Sequence, residues 1–270
     1  MNPVLKFLAF DTSTDVLSIA LSDGVQTWRH EGAGGAQASA QLIPAVLDLL
    51  AQAGWALPEL DAIVFGRGPG SFTGLRTACA VAQGLAFGAG VPVLPVDTLL
   101  AVAEQARWDL QGGQAQDMPL CVLALLDARM DEVYSAAYQW QGAATGWRAV
   151  QDLQVGKPET VTWPSDPPGS GNRLCAGNAF GPYGERLANV MLSGEAHALA
   201  LPTAQALLRL APALFQAGMA VPAEQAMPLY VRDKVANTTA EREVLKAEKS
   251  AEKSAALQTA LPAAASGHSL

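Results

Sequence analysis

The sequence predicts an α/β protein with mixed sheets, and three observations favour this fold class. Apolar runs and helical patterns alternate through the first half in the order three strands, helix, strand, helix, strand, helix. Between residues 61 and 88 a glycine-rich turn joins a short apolar run to an alanine-rich helical stretch. Near residue 120 the opening strand–turn–strand pattern returns, which is typical of a duplicated unit, although coincidence remains the alternative.

The first half is predicted to form a meander of three strands, followed by helices and strands in alternation. We expect strands at 4–10, 16–21, 25–30, 62–65 and 91–96, and helices at 39–53, 73–87 and 98–108. Pro44 is expected in the first turn of its helix, where proline is tolerated. Asp97 and Thr98 are expected to cap the third helix. The glycine- and alanine-rich stretch 31–37 is expected to be mobile.

The second half opens on a hairpin that resembles the first one. In both, a strand-terminal aspartate is followed by three residues and a second aspartate, at 11–15 and 127–131. Strands are predicted at 120–126, 132–138, 147–155 and 174–176, and helices at 183–190 and 202–217. The expected domains are an N-terminal lobe over 1–110, a C-terminal lobe over 111–233, and a disordered or frayed-helix tail over 234–270.

The composition limits the class of protein. The chain has 270 residues, 50% of them hydrophobic, which is enough for one large domain or two modest ones. A net charge of −8 argues against a free-standing nucleic-acid binder. The 3 cysteines lie far apart, so neither a zinc site nor a disulfide framework is indicated, and a cytoplasmic location is expected. We find no signal-peptide pattern and no apolar run long enough to span a membrane.

The glycine-rich turn is the most informative stretch of the chain. Gly66, Gly68 and Gly70 permit a sharp turn and the close approach of another backbone or of a ligand. Phosphate binding has little support, because no Gly-Lys-Ser/Thr follows the glycines and Arg76 lies inside the helix. Ser71 lacks the flanking glycines of a nucleophile elbow, so a serine nucleophile is not indicated either.

Small residues recur on one side of the helix that follows this turn. Gly74, Ala78, Val81, Gly84 and Gly88 succeed one another at three- or four-residue spacing. A helical glycine costs about 1 kcal/mol relative to alanine, and the close approach of another helix would explain it. That helix could belong to this chain or to a partner, and this stretch alone favours packing within the chain.

Four motifs in this order resemble those of the bacterial TsaB (YeaZ) family. They are Phe10-Asp11-Thr12-Ser13-Thr14, Gly66-Arg67-Gly68-Pro69-Gly70-Ser71-Phe72-Thr73-Gly74-Leu75-Arg76, Asp127-Ala128-Arg129-Met130-Asp131-Glu132-Val133-Tyr134 and Pro228-Leu229-Tyr230-Val231-Arg232. The similarity runs from about residue 5 to residue 233 and leaves out the tail. It implies a two-lobed fold with mixed sheets, of the actin-like ATPase and sugar-kinase (ribonuclease-H-like) type.

The resemblance also implies a function in making N6-threonylcarbamoyladenosine at position 37 of tRNA. In that family TsaB is a non-catalytic partner that supports the transferase TsaD, and the ATPase TsaE joins them. The chain would form a heterodimer with TsaD and a homodimer when alone, and it would meet tRNA only through the complex, away from membranes. No catalytic residue, metal or cofactor is expected, since the 3 histidines (His30, His197 and His268) lack the His-x-x-x-His spacing of TsaD-like enzymes.

Asp11 and Asp127 are the remaining candidates for cofactor binding. In ATPases of the implied fold two such hairpins grip phosphates, so these aspartates could hold a metal–nucleotide. Aspartates more often cap turns, and 128–130 is bulky where a phosphate needs small residues, so a structural role is favoured. The alternative function is an autonomous enzyme, a small-molecule kinase using these aspartates or a peptidase. A tRNA-binding module conflicts with the acidic charge.

The resemblance places the contact with the partner on the helices at 39–53 and 73–87. Two such helix pairs would form a four-helix bundle, and the same surface would serve an isologous homodimer. The interface candidates are Leu42, Ala45, Leu49, Gly74, Thr77, Ala78, Val81 and Gly84. Core packing is the alternative for the larger of them, Leu42 and Leu49.

Overall fold

Two five-stranded sheets form the frame of the protein in a computed structural model that describes residues 4–112, 118–164, 172–191 and 197–231. The first sheet contains β1 Phe7–Asp11, β2 Val16–Ser22, β3 Thr27–Ala33, β4 Ala62–Gly68 and β5 Val93–Asp97. The second contains β6 Leu120–Arg129, β7 Glu132–Trp140, β8 Trp147–Gly156, β9 Asn172–Gly177 and β10 His197–Ala198. The α-helices of the described ranges are α1 Ala38–Ala53, α2 Phe72–Ala89, α3 Thr98–Leu110, α4 Phe180–Tyr183 and α5 Ala204–Gln216.

Both sheets have the same strand order. In the first, β1 pairs antiparallel with β2 and parallel with β4, and the order is β3-β2-β1-β4-β5. In the second, β6 pairs antiparallel with β7 and parallel with β9, and the order is β8-β7-β6-β9-β10. Each half therefore continues an antiparallel meander into parallel strands. This confirms the predicted mixed α/β fold and the duplicated unit.

Helices cover both faces of the first sheet, because successive side chains of a strand point to opposite faces. On β1, Leu8 and Phe10 belong to the core shared with α1 and α2. Phe7 and Ala9 belong to the core shared with α5. All four are buried, and full burial of a large apolar side chain contributes about 1.5–3 kcal/mol. The helices α1 and α2 thus lie side by side on one face.

Helix α3 contributes to the cores of both sheets. Its Leu99 packs with Val122 of β6, while its Ala101 packs with the core on the α5 side of the first sheet. Helix α5 follows the second sheet in sequence but returns to the first, where the N–H of Ala204 donates to Ser18 Oγ at 2.9 Å. The lobe boundaries remain a prediction, and the C-terminal helix packs on the N-terminal sheet. Within the described ranges no helix is long and apolar enough to cross a membrane.

Some local predictions were wrong. Pro44 lies in the second turn of α1 rather than the first, because that helix begins at Ala38. The third strand, predicted at 25–30, runs on to Ala33, and a 3-10 turn over Gly35–Gln37 follows; the mobility expected of residues 31–37 stays a prediction. Asp97 does not cap α3 with its side chain, since its carboxylate accepts a hydrogen bond from Arg67 Nε at 2.5 Å.

In the second half the helix predicted at 183–190 is also corrected. The chain forms the short α4 and then a 3-10 turn over Gly184–Leu187. The two-residue strand β10 was not predicted, because so short an element carries no periodicity to detect. The tail predicted at 234–270 lies outside the described residues.

Glycines of the turn before α2 allow the first hairpin to approach closely. A Cβ atom on Gly66 would lie 1.8 Å from Oδ2 of Asp11. A Cβ atom on Gly74 would lie 1.9 Å from the carbonyl oxygen of Thr12, whose Oγ1 donates to the Gly74 carbonyl at 2.7 Å. The groups that come close to these glycines therefore belong to the chain's own hairpin, a side chain at Gly66 and the backbone at Gly74.

A buried charged cluster centred on Glu104 links α3 to both sheets. Its Oε1 accepts hydrogen bonds from Arg107 Nη2 at 2.9 Å and from Arg209 Nε of α5 at 2.8 Å. Its Oε2 accepts from Arg107 Nε and from Trp147 Nε1 of β8, both at 2.9 Å. Taking a carboxylate out of water costs several kcal/mol unless its oxygens are satisfied, and here four donors satisfy them. The cluster therefore connects α3, α5 on the first sheet and β8 of the second sheet through hydrogen bonds.

Replacing Gly74 by alanine is expected to lower the free energy of unfolding by about 2 kcal/mol, because the new methyl group overlaps a backbone oxygen. Urea denaturation would measure the change. The matched control is Gly84→Ala in the same helix, where a Cβ meets nothing within 4 Å. That control should stabilise the protein by up to about 1 kcal/mol through helix propensity. Similar effects at the two positions would contradict the close contact at Gly74.

Replacing Glu104 by glutamine is expected to lower the free energy of unfolding by about 3 kcal/mol, because it leaves two guanidinium groups facing a neutral amide. Thermal or urea denaturation would show the loss. The control is Glu59→Gln, which removes an exposed ion pair with Lys6 and should change stability far less. A loss no larger than that of the control would mean that the cluster does not hold the sheets together.

Candidate functional site

The first aspartate hairpin is enclosed by its own chain. Asp11 is fully buried, and its Oδ1 accepts hydrogen bonds from the Ser13 N–H at 2.8 Å and from the Ser13 hydroxyl at 2.6 Å. Its Oδ2 has no hydrogen-bond partner and faces Gly66. The carboxylate therefore caps a turn and is turned away from solvent, which is not the geometry of an accessible metal ligand.

Asp127 occupies the equivalent place in the second hairpin. Its Oδ1 accepts hydrogen bonds from the Arg129 N–H at 2.7 Å and from the Tyr183 hydroxyl at 3.0 Å. Each aspartate thus accepts from the backbone N–H two residues further on, the arrangement of an Asx turn. This local geometry fits the structural role that the sequence favoured, and the cofactor roles of Asp11 and Asp127 find no support in it.

An arginine lies between the two hairpins. The guanidinium of Arg129 donates to Asp15 of the first hairpin at 3.0 Å and pairs with Asp127 of the second at 3.3 Å. Arg129, Met130 and Asp131 all have positive φ, between 55° and 65°, which is uncommon for residues other than glycine. The tip of the second hairpin therefore holds three consecutive non-glycine residues in the left-handed region.

The described residues offer little support for a metal site, a serine nucleophile or a reactive cysteine. They contain no group of three or more His, Cys, Asp or Glu side chains placed to hold a metal ion. Ser71 serves as the N-cap of α2, where its hydroxyl accepts from the Gly74 N–H at 3.5 Å. Its hydroxyl is engaged by the backbone, as expected for a helix cap. The cysteines Cys79, Cys121 and Cys175 are buried free thiols.

The structure places five of the eight interface candidates in the protein core, contrary to the sequence expectation. They are Leu42, Ala45, Leu49, Gly74 and Ala78. Side chains that already pack against the first sheet have no area left to offer a partner, so these five are corrected to core residues. Thr77 and Val81 are half-buried and Gly84 is exposed, and these three stay available.

An apolar outer face remains exposed on the same two helices. Ile43 and Leu47 of α1 are 42% and 52% exposed, and Phe87 of α2 is 83% exposed. Arg76, Ala80, Gly84 and Phe87 recur on α2 at three- or four-residue spacing and are all exposed. The name outer face is used below for these six residues: Ile43, Leu47, Arg76, Ala80, Gly84 and Phe87.

The outer face is poor in charge. Residues 77–96 contain no Asp, Glu, Lys or Arg, and α1 contains only Asp48. An exposed apolar surface of this kind is typical of a protein–protein contact. The sequence analysis missed Ile43, Leu47 and Phe87. Leu42, Ile43, Val46 and Leu47 spread apolar side chains over an arc of about 140° on α1, wider than the buried stripe needs, and that width could have revealed them.

Burial controls the titration of Asp11. Loss of solvent raises the pKa of its carboxyl group from an ordinary 3.8 to about 6, against the opposing effect of the Ser13 hydrogen bonds. The pKa of Asp11 is therefore higher in the folded protein than in the unfolded chain. Protonated Asp11 contributes fully to the free energy of unfolding below about pH 3.8, and this contribution is lost as the pH rises through about 6.

The variant Asp11→Asn removes this titration. Its free energy of unfolding, relative to that of the unmodified protein, should therefore rise by about 3 kcal/mol as the pH increases from about 4 to about 7. The measurement is the free energy of unfolding of both proteins across that range. Asp23→Asn is the control of opposite sign, because backbone hydrogen bonds from Gln26 and Val25 lower the pKa of Asp23. Parallel pH profiles for Asp11→Asn and the unmodified protein would mean that the carboxyl group is reached by solvent.

Comparison with known proteins identifies close relatives. A family model described as TsaD: tRNA N6-adenosine threonylcarbamoyltransferase matches residues 32–240. The tRNA threonylcarbamoyladenosine biosynthesis protein TsaB of Escherichia coli (strain K12) is 35% identical over 235 residues, covering 86% of this chain and 96% of the relative. The protein of the same name from Haemophilus influenzae is 34% identical over 238 residues, covering 86% and 95%.

A solved structure agrees with these relatives. The structure described as YeaZ from Pseudomonas aeruginosa superposes with a TM-score of 0.71 at 39% sequence identity, and the match covers 84% of this chain and 99% of that one. The resemblance noted in the four motifs is confirmed, and with it the two-lobed fold of the actin-like ATPase type. The chain belongs to the TsaB (YeaZ) family.

Proposed function

We propose that this protein acts in tRNA threonylcarbamoyladenosine biosynthesis as a non-catalytic subunit that binds and supports the transferase TsaD. The names of its relatives support the pathway. The observation that carries the scaffold role is the outer face, an exposed apolar surface on two helices that are otherwise packed firmly onto the first sheet. Contact surfaces of this type bury aromatic and aliphatic anchors, and Phe87 and Leu47 are suited to that part.

The helices provide a suitable platform for a helical partner. A Cβ on Gly84 or on Gly88 would meet nothing within 4 Å, so the surface beside Phe87 is open. A bulky side chain of a partner helix could fill that space, and a pair of helices from each protein would complete a four-helix bundle. The same surface would serve an isologous homodimer when TsaD is absent. Binding of TsaE, contact with tRNA through the complex and a cytoplasmic location belong to the same proposal.

Asp11 and Asp127 are both occupied by contacts within the chain, which supports a non-catalytic role for the protein. Asp11 is closed in by Gly66 and Ser13, and Asp127 is engaged by Arg129 and Tyr183. The alternative of an autonomous kinase would require these carboxylates to face a nucleotide and a metal ion. Micromolar ATP binding by the isolated protein, measured by titration calorimetry, would favour that alternative over the scaffold role.

Replacing Gly84 by tryptophan should weaken binding to purified TsaD by at least about tenfold while leaving the melting temperature almost unchanged, because the ring would occupy the open surface that the partner needs. Titration calorimetry measures the affinity. The matched control is Gly181→Trp in α4 of the second half, where a Cβ also meets nothing within 4 Å. Equal affinity for the Gly84→Trp variant and the control would contradict docking on this face.

A further inference from the structure

The outer face has one charged member. We infer that Arg76 is a preformed binding point for a carboxylate side chain of the protein that docks on the outer face. The inference rests on the proposed function, since it names a chemical property of the same partner surface.

The guanidinium of Arg76 is held in place by two aromatic side chains. Its central carbon lies 3.9 Å from the ring centre of Phe72, and its Nε donates to the Tyr230 hydroxyl at 3.1 Å. The rings of Phe72 and Tyr230 are in contact, with centroids 5.5 Å apart. Stacking on one ring and a bond to the other restrict the side chain, so little rotamer freedom is left to lose on binding.

Tyr230 is itself anchored beside α2. The N–H of Leu229 donates to the Arg67 carbonyl at 2.7 Å. Three residues earlier, the Ala226 carbonyl accepts from Gln83 Nε2 at 3.0 Å and from Cys79 Sγ at 3.3 Å. These bonds tie the segment before Val231 to the helix that carries Arg76. The aromatic support of the guanidinium is therefore part of the folded structure.

The two terminal nitrogens of Arg76 remain available. Within the described residues neither Nη atom makes a hydrogen bond or an ion pair, and the side chain is exposed. The bond from Nε and the stacked ring leave the other edge of the guanidinium with two parallel donors. A carboxylate matches that pair of donors with two hydrogen bonds, and charge-assisted pairs of this kind are the strong ones at interfaces.

The charges around Arg76 favour a protein carboxylate over a nucleic-acid phosphate. Arg76 is the one charged residue between 68 and 96, so its neighbours along α2 add no second cation. Phosphate backbones are bound by several cations acting together, and the chain carries a net charge of −8. A single arginine set in an apolar face instead resembles the charged residue that fixes the register of a protein interface.

The test measures the affinity of purified TsaD for the full-length protein at two or more salt concentrations. Arg76→Met should weaken binding by at least about tenfold and reduce its dependence on salt, because the desolvated charge pair is lost. Arg76→Lys, which keeps the charge but not the paired donors, should give an intermediate affinity. Arg148→Met, an exposed arginine of the second sheet, is the control and should change neither quantity.

The Gly84→Trp variant separates this inference from the proposed function. If Gly84→Trp weakens TsaD binding and Arg76→Met does not, the carboxylate contact is overturned while docking on the outer face stands. If neither variant matters, the proposed function itself fails. Loss of self-association alone in Arg76→Met would point to Asp48 of a second copy, and Arg76-dependent binding of tRNA by the isolated protein would point to a phosphate. Either result would overturn the inference.

Discussion

The close approach of the glycine turn to the first hairpin is the constraint on which the N-terminal half depends. The Gly74 backbone lies against the Thr12 carbonyl, and Gly66 lies against the Asp11 carboxylate. No Cβ fits at either glycine, so the start of α2 is held close to the end of β1. The rest of α2 then lies across the sheet with Ala78 and Ala82 buried and Gly84 and Phe87 outward. The position of the outer face is a consequence of this contact.

The two halves share the same hairpin arrangement, although we propose no chemistry for either hairpin. Asp11 and Asp127 each close an Asx turn at the end of the first strand of their sheet, a role that asparagine also fills and that needs no ligand. After β3 the chain passes through the 3-10 turn at Gly35–Gln37 into the 16-residue helix α1, and after β8 it forms a 3-10 turn over Pro158–Thr160. The proposed docking surface lies on α1 and α2, which both belong to the first half.

Much of the fold could be predicted from the sequence, because apolar periodicity and turn residues are local signals. The hairpins, the glycine turn and α1 to α3 are encoded by such signals to within a few residues. Which glycine faces which neighbour could not be predicted, because that depends on contacts distant in sequence. Gly74 and Gly84 belong to the same run of small residues, yet one is packed against Thr12 and the other is open to solvent. The run of small residues contains both buried and exposed positions of α2. Because the prediction treated the run as one surface, it assigned core residues to the interface.

The proposed docking surface can hold a partner in a fixed position only if the domain that carries it is rigid. The Glu104 cluster supplies that stiffness, because one buried carboxylate engages α3, α5 and β8 together. Helix α5 covers the face of the first sheet opposite α1 and α2. The outer face is therefore connected to the Glu104 cluster through that sheet and α5. In this chain the buried cluster around Glu104 joins elements that pack on both sheets, which fits the proposed role of supporting a partner.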